Sequence, residues 1–166
     1  MLPFPVDTDS RLLRADSCWN KYKNKAGTMS AFQKDIEWLL KSHHILEAFQ
    51  NQAEFHVRFD MPGFDRLVIE RHGSLISVAH YFEQNGDLIA DPEVELHYPT
   101  WFPTAITQVL SGRREKFIER NGQEFVVVNF HNEVTSFLAM WGRNIRAQGW
   151  DKASSSIATN VEVVEE

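Results

Sequence analysis

The feature that most limits the fold of this chain is a series of segments between residues 54 and 98 that alternate in polarity and then turn back. Apolar side chains alternate with polar ones along 55–59, the period-two pattern of a half-buried strand. Further strands are predicted over 66–71 and 75–82, with turn-forming residues between them. Asn85-Gly86 predicts a tight hairpin, because both residues tolerate the positive φ that such turns need. Consecutive hairpins predict an antiparallel sheet.

Two long helices are predicted on either side of these strands. Ser30 and Gln33 have the spacing of a capping box, and apolar residues at helical spacing follow to about Gln50. The second helix is predicted to start after Asn132, a good N-cap, and to end at Gly149. Each helix has one apolar stripe, which it must bury against another element.

Smaller elements complete the fold prediction. The sequence predicts a short helix over 104–110, a strand over 115–119, and a hairpin turn at Asn121-Gly122. The predicted fold class is therefore α+β, an antiparallel meander of about six strands covered on one face by the two long helices. We predict a single domain over residues 1–150 and a disordered acidic tail over 151–166.

Composition excludes several classes of protein. Cys18 is the only cysteine, so an intrachain disulfide and a cysteine-built zinc site are excluded. The first residues lack a signal-peptide pattern, and no run approaches the roughly 20 apolar residues of a membrane span. The expectation is a cytoplasmic protein that does not enter the membrane.

The net charge is −6, and residues 53–97 carry nine acidic but only three basic side chains. Nucleic-acid binding over the whole surface is disfavoured, because it requires clustered basic groups. A local basic patch is an alternative, formed by Arg113, Arg114, Arg143 and Arg146. Neighbouring glutamates favour ordinary cross-strand ion pairs instead.

The hairpin around Asn85-Gly86 is rich in metal-binding side-chain types. The candidate ligands are His80, Asp87, Asp91 and His97. Carboxylates and imidazoles at such spacing can converge on a metal or do acid–base work. The alternative is a well-formed turn in which Asp and Asn side chains bond the local backbone. The sequence favours the turn, and it predicts no metal, no cofactor and no catalytic residue.

The residues that the sequence predicts to bind a partner are acidic and aromatic. Trp101 and Phe102 lie between two prolines in a predicted loop, where they either cap the core or anchor a partner. The predicted partner-binding set is Asp87, Asp91, Glu93, Glu95, Trp101 and Phe102. An acidic surface of this kind complements a basic protein.

The run 76–87, which reads Ile-Ser-Val-Ala-His-Tyr-Phe-Glu-Gln-Asn-Gly-Asp, is followed by Asp91-Pro92-Glu93. With Leu-Val-Ile-Glu at 67–70, it resembles a family of small uncharacterised proteins that share this hairpin. The resemblance covers roughly residues 53–98, with a weaker echo at 144–150. It implies a genomic context in plasmids, integrative elements and phages, and it implies no activity and no catalytic residues.

The sequence therefore predicts a non-enzymatic accessory protein of a mobile genetic element or phage. We expect it to engage a host or element-encoded macromolecule, as a regulator or as an inhibitor of a defence system. Two alternatives stay open: a metal-dependent enzyme using the 80–97 hairpin, and a nucleic-acid-binding module using the four arginines. The sequence does not fix the oligomeric state.

Overall fold

A computed structural model describes residues 12–14 and 29–158 of the chain. Cys18 and residues 159–166 lie outside the described residues. In chain order the described elements are β1 (Leu12–Arg14), α1 (Ala31–Ser42), α2 (Leu46–Asn51), β2 (Glu54–Asp60), β3 (Arg66–His72), β4 (Leu75–Gln84), β5 (Asp87–His97), β6 (Pro103–Gln108), β7 (Gly112–Glu115), β8 (Phe117–Arg120), β9 (Gln123–Val127), α3 (Phe130–Gln148), a 3₁₀-helix (Trp150–Lys152) and β10 (Ser154–Ile157).

The strands form two antiparallel sheets. The larger sheet has seven strands in the order β10-β2-β3-β4-β5-β6-β7, and the smaller has three in the order β1-β9-β8. Strands β2 to β7 are thus neighbours in space in the same order as in the chain. This arrangement confirms the predicted α+β class and the antiparallel sheet.

The two faces of the larger sheet differ in chemistry because the side chains alternate along each strand. One face is apolar and buried, and its residues are Phe55, Val57, Phe59, Leu67, Ile69, Ile76, Val78, Val94, Leu96 and Ile106. We call the opposite side the outer face. It carries the polar residues His56, Arg58, Arg66, Glu70, Ser77, Tyr81, Glu93, Glu95 and Arg113, together with the buried Val68 and Ala79.

The helices pack on the buried face of the sheet. The rings of Phe32 in α1 and Trp141 in α3 are stacked with centroids 5.6 Å apart. Gly142 lets these helices approach closely, since a Cβ there would lie 2.6 Å from an Asp35 carboxylate oxygen. Ser30 caps α1 by accepting a hydrogen bond from Gln33 N (3.1 Å), as predicted.

The helices differ from the prediction of two long segments covering the sheet. The first predicted helix is broken at His44, whose φ of +59° ends α1 and allows α2 to start in a new direction. The second starts three residues earlier than predicted, at Phe130 with Asn129 as N-cap, although Gly149 ends it in the left-handed conformation (φ +86°) as expected. Of the described helices, none is both long enough and apolar enough to cross a bilayer.

Two predictions about the segment 104–119 are corrected. The segment predicted as a helix over 104–110 is largely strand β6, which pairs with β5 on one side and β7 on the other. The predicted strand over 115–119 is divided at Lys116, whose N–H bonds Thr104 O (2.8 Å) and whose C=O accepts from Val127 N (2.9 Å). The backbone of Lys116 therefore joins the two sheets.

The tail that was predicted to be disordered from residue 151 contains an ordered strand. Residues Ser154–Ile157 form β10, an edge strand that pairs with β2 through four residues. The structure therefore orders part of the segment that composition alone assigned to the tail. The single-domain boundary at residue 150 stays a prediction.

Candidate functional site

His80, the central residue of the hairpin motif, lies on the buried face of the sheet. Its ring centroid is 5.5 Å from that of Trp141 and 5.6 Å from that of Trp150. Its Nδ1 lies 3.2 Å from the carbonyl oxygen of Asp65. Burial lowers the pKa of His80 below its usual value. This environment suits a neutral imidazole that holds the hairpin against the core.

The other predicted metal candidates have separate structural partners. His97 Nδ1 lies 2.8 Å from Thr100 Oγ1, and Asp91 accepts a hydrogen bond from Val109 N (3.3 Å). Asp87 is exposed and begins β5 beside the hairpin turn. Within the part of the chain that the structure describes, no three His, Cys, Asp or Glu side chains are grouped to hold a metal ion. The geometry therefore gives no support to a shared metal site.

The four arginines of the predicted basic patch do not form one surface. Arg113 is on the outer face, where it pairs with Glu95 and Glu115. Arg114, the next residue of β7, pairs with Glu133 (3.1 Å) at the start of α3. On α3, Arg143 is exposed. Arg146, also on α3, pairs with Asp35 (2.9 Å) and lies over the ring of Trp38.

The aromatic loop does not provide the predicted exposed anchor. Trp101 is only 3% exposed, and its ring packs 5.8 Å from that of Phe49 in α2. Phe102 is half-buried and stacks on His97 with centroids 5.1 Å apart. A partner anchor needs an accessible ring, so Trp101 instead fills the alternative role of capping the core.

The outer face carries a row of polar pairs across neighbouring strands. His56 Nε2 lies 3.4 Å from Glu70, and Ser77 donates a hydrogen bond to Glu93 (3.3 Å). Glu95 pairs with Arg113 two strands away. Among the described residues Glu93 has no ion-pair partner, whereas Glu95 pairs with Arg113 and Glu70 lies beside the imidazole of His56. The centre of this face is therefore negative.

Tyr81 lies beside that negative centre. Burial, the largest cause, and the charges of Glu93 and Glu70 together raise the pKa of its phenol to about 12. The three side chains come from adjacent strands, β3, β4 and β5. The carboxylates of Glu93 and Glu70 can accept hydrogen bonds from a cationic group of a partner, whereas the residue directly opposite Tyr81 on β3 is Arg66.

The sequence analysis missed His56, Glu70, Ser77 and Tyr81. Their association depends on strand register, in which Glu70 is opposite Ser77 and Ser77 is opposite Glu95. The alternating pattern of β3 and β4 could have placed these residues on the polar face. It could not have shown which residues are neighbours.

Residues 38–150 match the domain of unknown function DUF6908. The chain belongs to this family. No curated protein and no solved structure matches the chain.

The DUF6908 region contains every residue that we assign to the outer face. It also ends at Trp150, the residue that packs against His80. The two stretches on which the resemblance rests, the 76–87 hairpin and the 144–150 echo, therefore meet in the folded chain. The contact between His80 and Trp150 therefore gives a packing reason for the presence of both motifs in one chain.

The environment of Tyr81 gives a testable pH dependence. In a titration followed by absorbance at 295 nm, we expect Tyr81 to ionise near pH 12, well above the usual value of 10. Because the folded-state pKa is raised, its contribution to stability should be lost as pH rises from about 10 towards 12. Comparison with Tyr81→Phe isolates its titration from those of Tyr22 and Tyr98.

Substitution of the nearby carboxylate tests the physical cause. Glu93→Gln should lower the Tyr81 pKa because it removes the larger of the two charge effects. Glu119→Gln, on the smaller sheet, should leave it unchanged. Ionisation of Tyr81 at pH 10 in the wild type would contradict the described environment.

Proposed function

We propose that this DUF6908 protein is a non-enzymatic binding protein whose outer face engages a basic surface of a macromolecular partner. The observation that carries the proposal is Glu93, a partly exposed outer-face carboxylate that accepts a hydrogen bond from Ser77 and has no ion-pair partner among the described residues. The helices pack on the other face of the sheet. A partner that supplies a Lys or Arg side chain would complete the charge pairing.

Charge along the neighbouring strands supports the same partner class. Glu95 lies two residues from Glu93, and Asp87 and Asp91 extend the acidic character along β5. Complementary charge accelerates encounter and selects against acidic partners. A basic, nucleic-acid-binding protein is therefore the class of partner that fits best.

The biological setting of the proposal comes from the resemblance of the hairpin to proteins of mobile elements. In that setting a small acidic binding protein would act in the cytoplasm as an accessory factor of a plasmid, integrative element or phage. Blocking the nucleic-acid-binding surface of a host protein would make it a regulator or an inhibitor of a defence system. The acidic outer face supplies the chemistry for such a block.

A matched pair of double variants tests the proposal. The immobilised wild type should retain a basic protein from a lysate of the organism that encodes it, and Glu93→Gln with Glu95→Gln should release it. We expect the loss in affinity to be at least about tenfold, because Glu93→Gln removes the unpaired carboxylate and Glu95→Gln leaves Arg113 with one acidic partner fewer. Glu119→Gln with Glu124→Gln makes the same change in net charge on the β8–β9 hairpin and should retain the protein.

The dependence on salt provides a second measure. The affinity of the wild type for the purified partner should fall as ionic strength rises, and the Glu93/Glu95 variant should show a weaker dependence. Equal retention by both double variants, or the absence of any retained basic protein, would contradict the proposal.

A further inference from the structure

Three exposed aliphatic side chains lie on two neighbouring hairpins of the larger sheet. Leu88, beside the β4–β5 turn, is 55% exposed, and Val109, in the β6–β7 turn, is 53% exposed. Leu110, the next residue, is fully exposed. Leu110 thus contributes no buried surface to this fold, and its conformation must be set by the turn that carries it.

The β6–β7 turn is held in shape by side chains around it. The backbone N–H of Val109 donates to Asp91 Oδ1 of strand β5, at 3.3 Å. Ser111 Oγ donates to Gln108 Oε1 (3.1 Å), and Gly112 has a φ of +71°, which glycine adopts without strain. A turn fixed in this way presents Val109 and Leu110 to solvent with little freedom to fold them back.

The position of these residues is unusual for turns, which favour polar side chains and glycine. A single exposed aliphatic residue needs no explanation. Here two are consecutive in one turn, and the turn is bonded through Asp91 to the hairpin that carries the third. The same β5 strand continues to Glu93 and Glu95 on the outer face. Strand β5 therefore carries both Leu88 and the two glutamates, and Asp91 of the same strand bonds the turn that carries Val109 and Leu110.

We propose that Leu88, Val109 and Leu110 form the apolar anchor for the same partner, inserting into an apolar cleft that is bordered by basic residues. The inference rests on the proposed function, since the acidic outer face defines the partner. Asp87 and Asp91 lie beside the anchor residues and fix the charge of the cleft border. Their charge favours a basic protein surface over an anionic lipid surface. The anchor supplies the exposed apolar contact that the buried Trp101 does not.

Serine substitutions on matched exposed positions test this anchor. The protein retained in the lysate experiment is identified and purified, and its affinity is measured for four forms of the full chain. These are the wild type, Val109→Ser with Leu110→Ser, the control Val128→Ser, and Glu93→Gln with Glu95→Gln. Val128 is 37% exposed and follows strand β9.

The Val109/Leu110 variant should bind at least about tenfold more weakly, since burial of a leucine side chain accounts for that much affinity. It should melt at the wild-type temperature, because the replaced side chains are exposed. Val128→Ser should bind normally. Leu88→Ser, measured in addition to these four forms, should also weaken binding.

The four forms separate failure of the anchor from failure of the proposed function. Normal binding by the Val109/Leu110 variant with loss in the Glu93/Glu95 variant would overturn the anchor alone. The reverse pattern would overturn the acidic-face proposal and retain an apolar anchor. Failure to retain any basic protein would overturn both.

The same set of variants tests two other occupants, a membrane and a second copy of the chain. One contrary result is that the wild type binds phosphatidylcholine vesicles and the Val109/Leu110 variant does not, although both bind the partner with the same affinity. That result would assign Val109 and Leu110 to a membrane contact and overturn the anchor. Concentration-dependent self-association that is lost in this variant, again with unchanged partner affinity, would assign them to a second copy and also overturn it.

Discussion

Replacement of Trp150 by alanine should lower the free energy of unfolding by about 3–5 kcal/mol, the usual cost of deleting a large buried aromatic side chain. Trp150 is completely buried. Its ring contacts those of Phe64 and His80, with centroids 5.7 and 5.6 Å apart. The substitution would leave a cavity next to His80 of strand β4 and Phe64. Urea denaturation followed by circular dichroism measures the loss.

A control on the exposed side of α3 separates this cavity effect from a general effect of substitution. Met140 is 45% exposed, so Met140→Ala should change the free energy of unfolding by no more than about 0.5 kcal/mol. Trp150→Phe should fall between the two, because it retains part of the ring contact. A loss below about 1 kcal/mol for Trp150→Ala would contradict the described packing.

Replacement of Arg71 by methionine should lower the free energy of unfolding by about 2–3 kcal/mol. Arg71 Nη1 donates to the carbonyl oxygens of Phe49 and Gln50, at 2.8 Å each, where α2 leaves carbonyls without helical partners. Its Nε donates to Gly73 O, and its guanidinium lies 3.7 Å from the centroid of the Tyr98 ring. Methionine keeps much of the side-chain length but removes every donor.

Arg58 offers the same substitution at a surface site. It pairs with Asp60 and is 44% exposed, so Arg58→Met should cost at most about 1 kcal/mol. Urea midpoints of the two variants, compared at equal m-values, provide the measurement. Equal effects at both positions would contradict the assignment of Arg71 as the residue that fixes α2 to the sheet.

The antiparallel sheet was predictable because its signals are local. Alternation along 55–59 and the turn at Asn85-Gly86 each act within a few residues. Strand β6 was not predictable in this way, since its apolar residues also fit a helical spacing. Pairing with β5 and β7 decides its conformation. The junction at Lys116 likewise depends on two sheets that are assembled from distant segments.

The candidate site was predicted only in part for a related reason. Glu93 and Glu95 could be placed on a polar face from their own alternation in the sequence. Glu70 and Tyr81 join them only through strand register, and the register shifts between Ala79 and Tyr81, opposite the region of Asp91. Counting outward from a turn cannot anticipate such a shift. The burial of Trp101 depends similarly on α2, which is distant in the sequence.

Carboxylate footprinting tests the central claim, that the acidic outer face is a binding surface. Accessible Asp and Glu side chains are coupled to an amine with a carbodiimide, in the free protein and in the complex with the purified partner, and the labelled sites are read by mass spectrometry. We predict that Glu93 and Glu95 lose labelling in the complex, whereas Glu119 and Glu124 on the smaller sheet keep theirs. Unchanged labelling of Glu93 and Glu95, with protection of Glu119 and Glu124, would contradict the account.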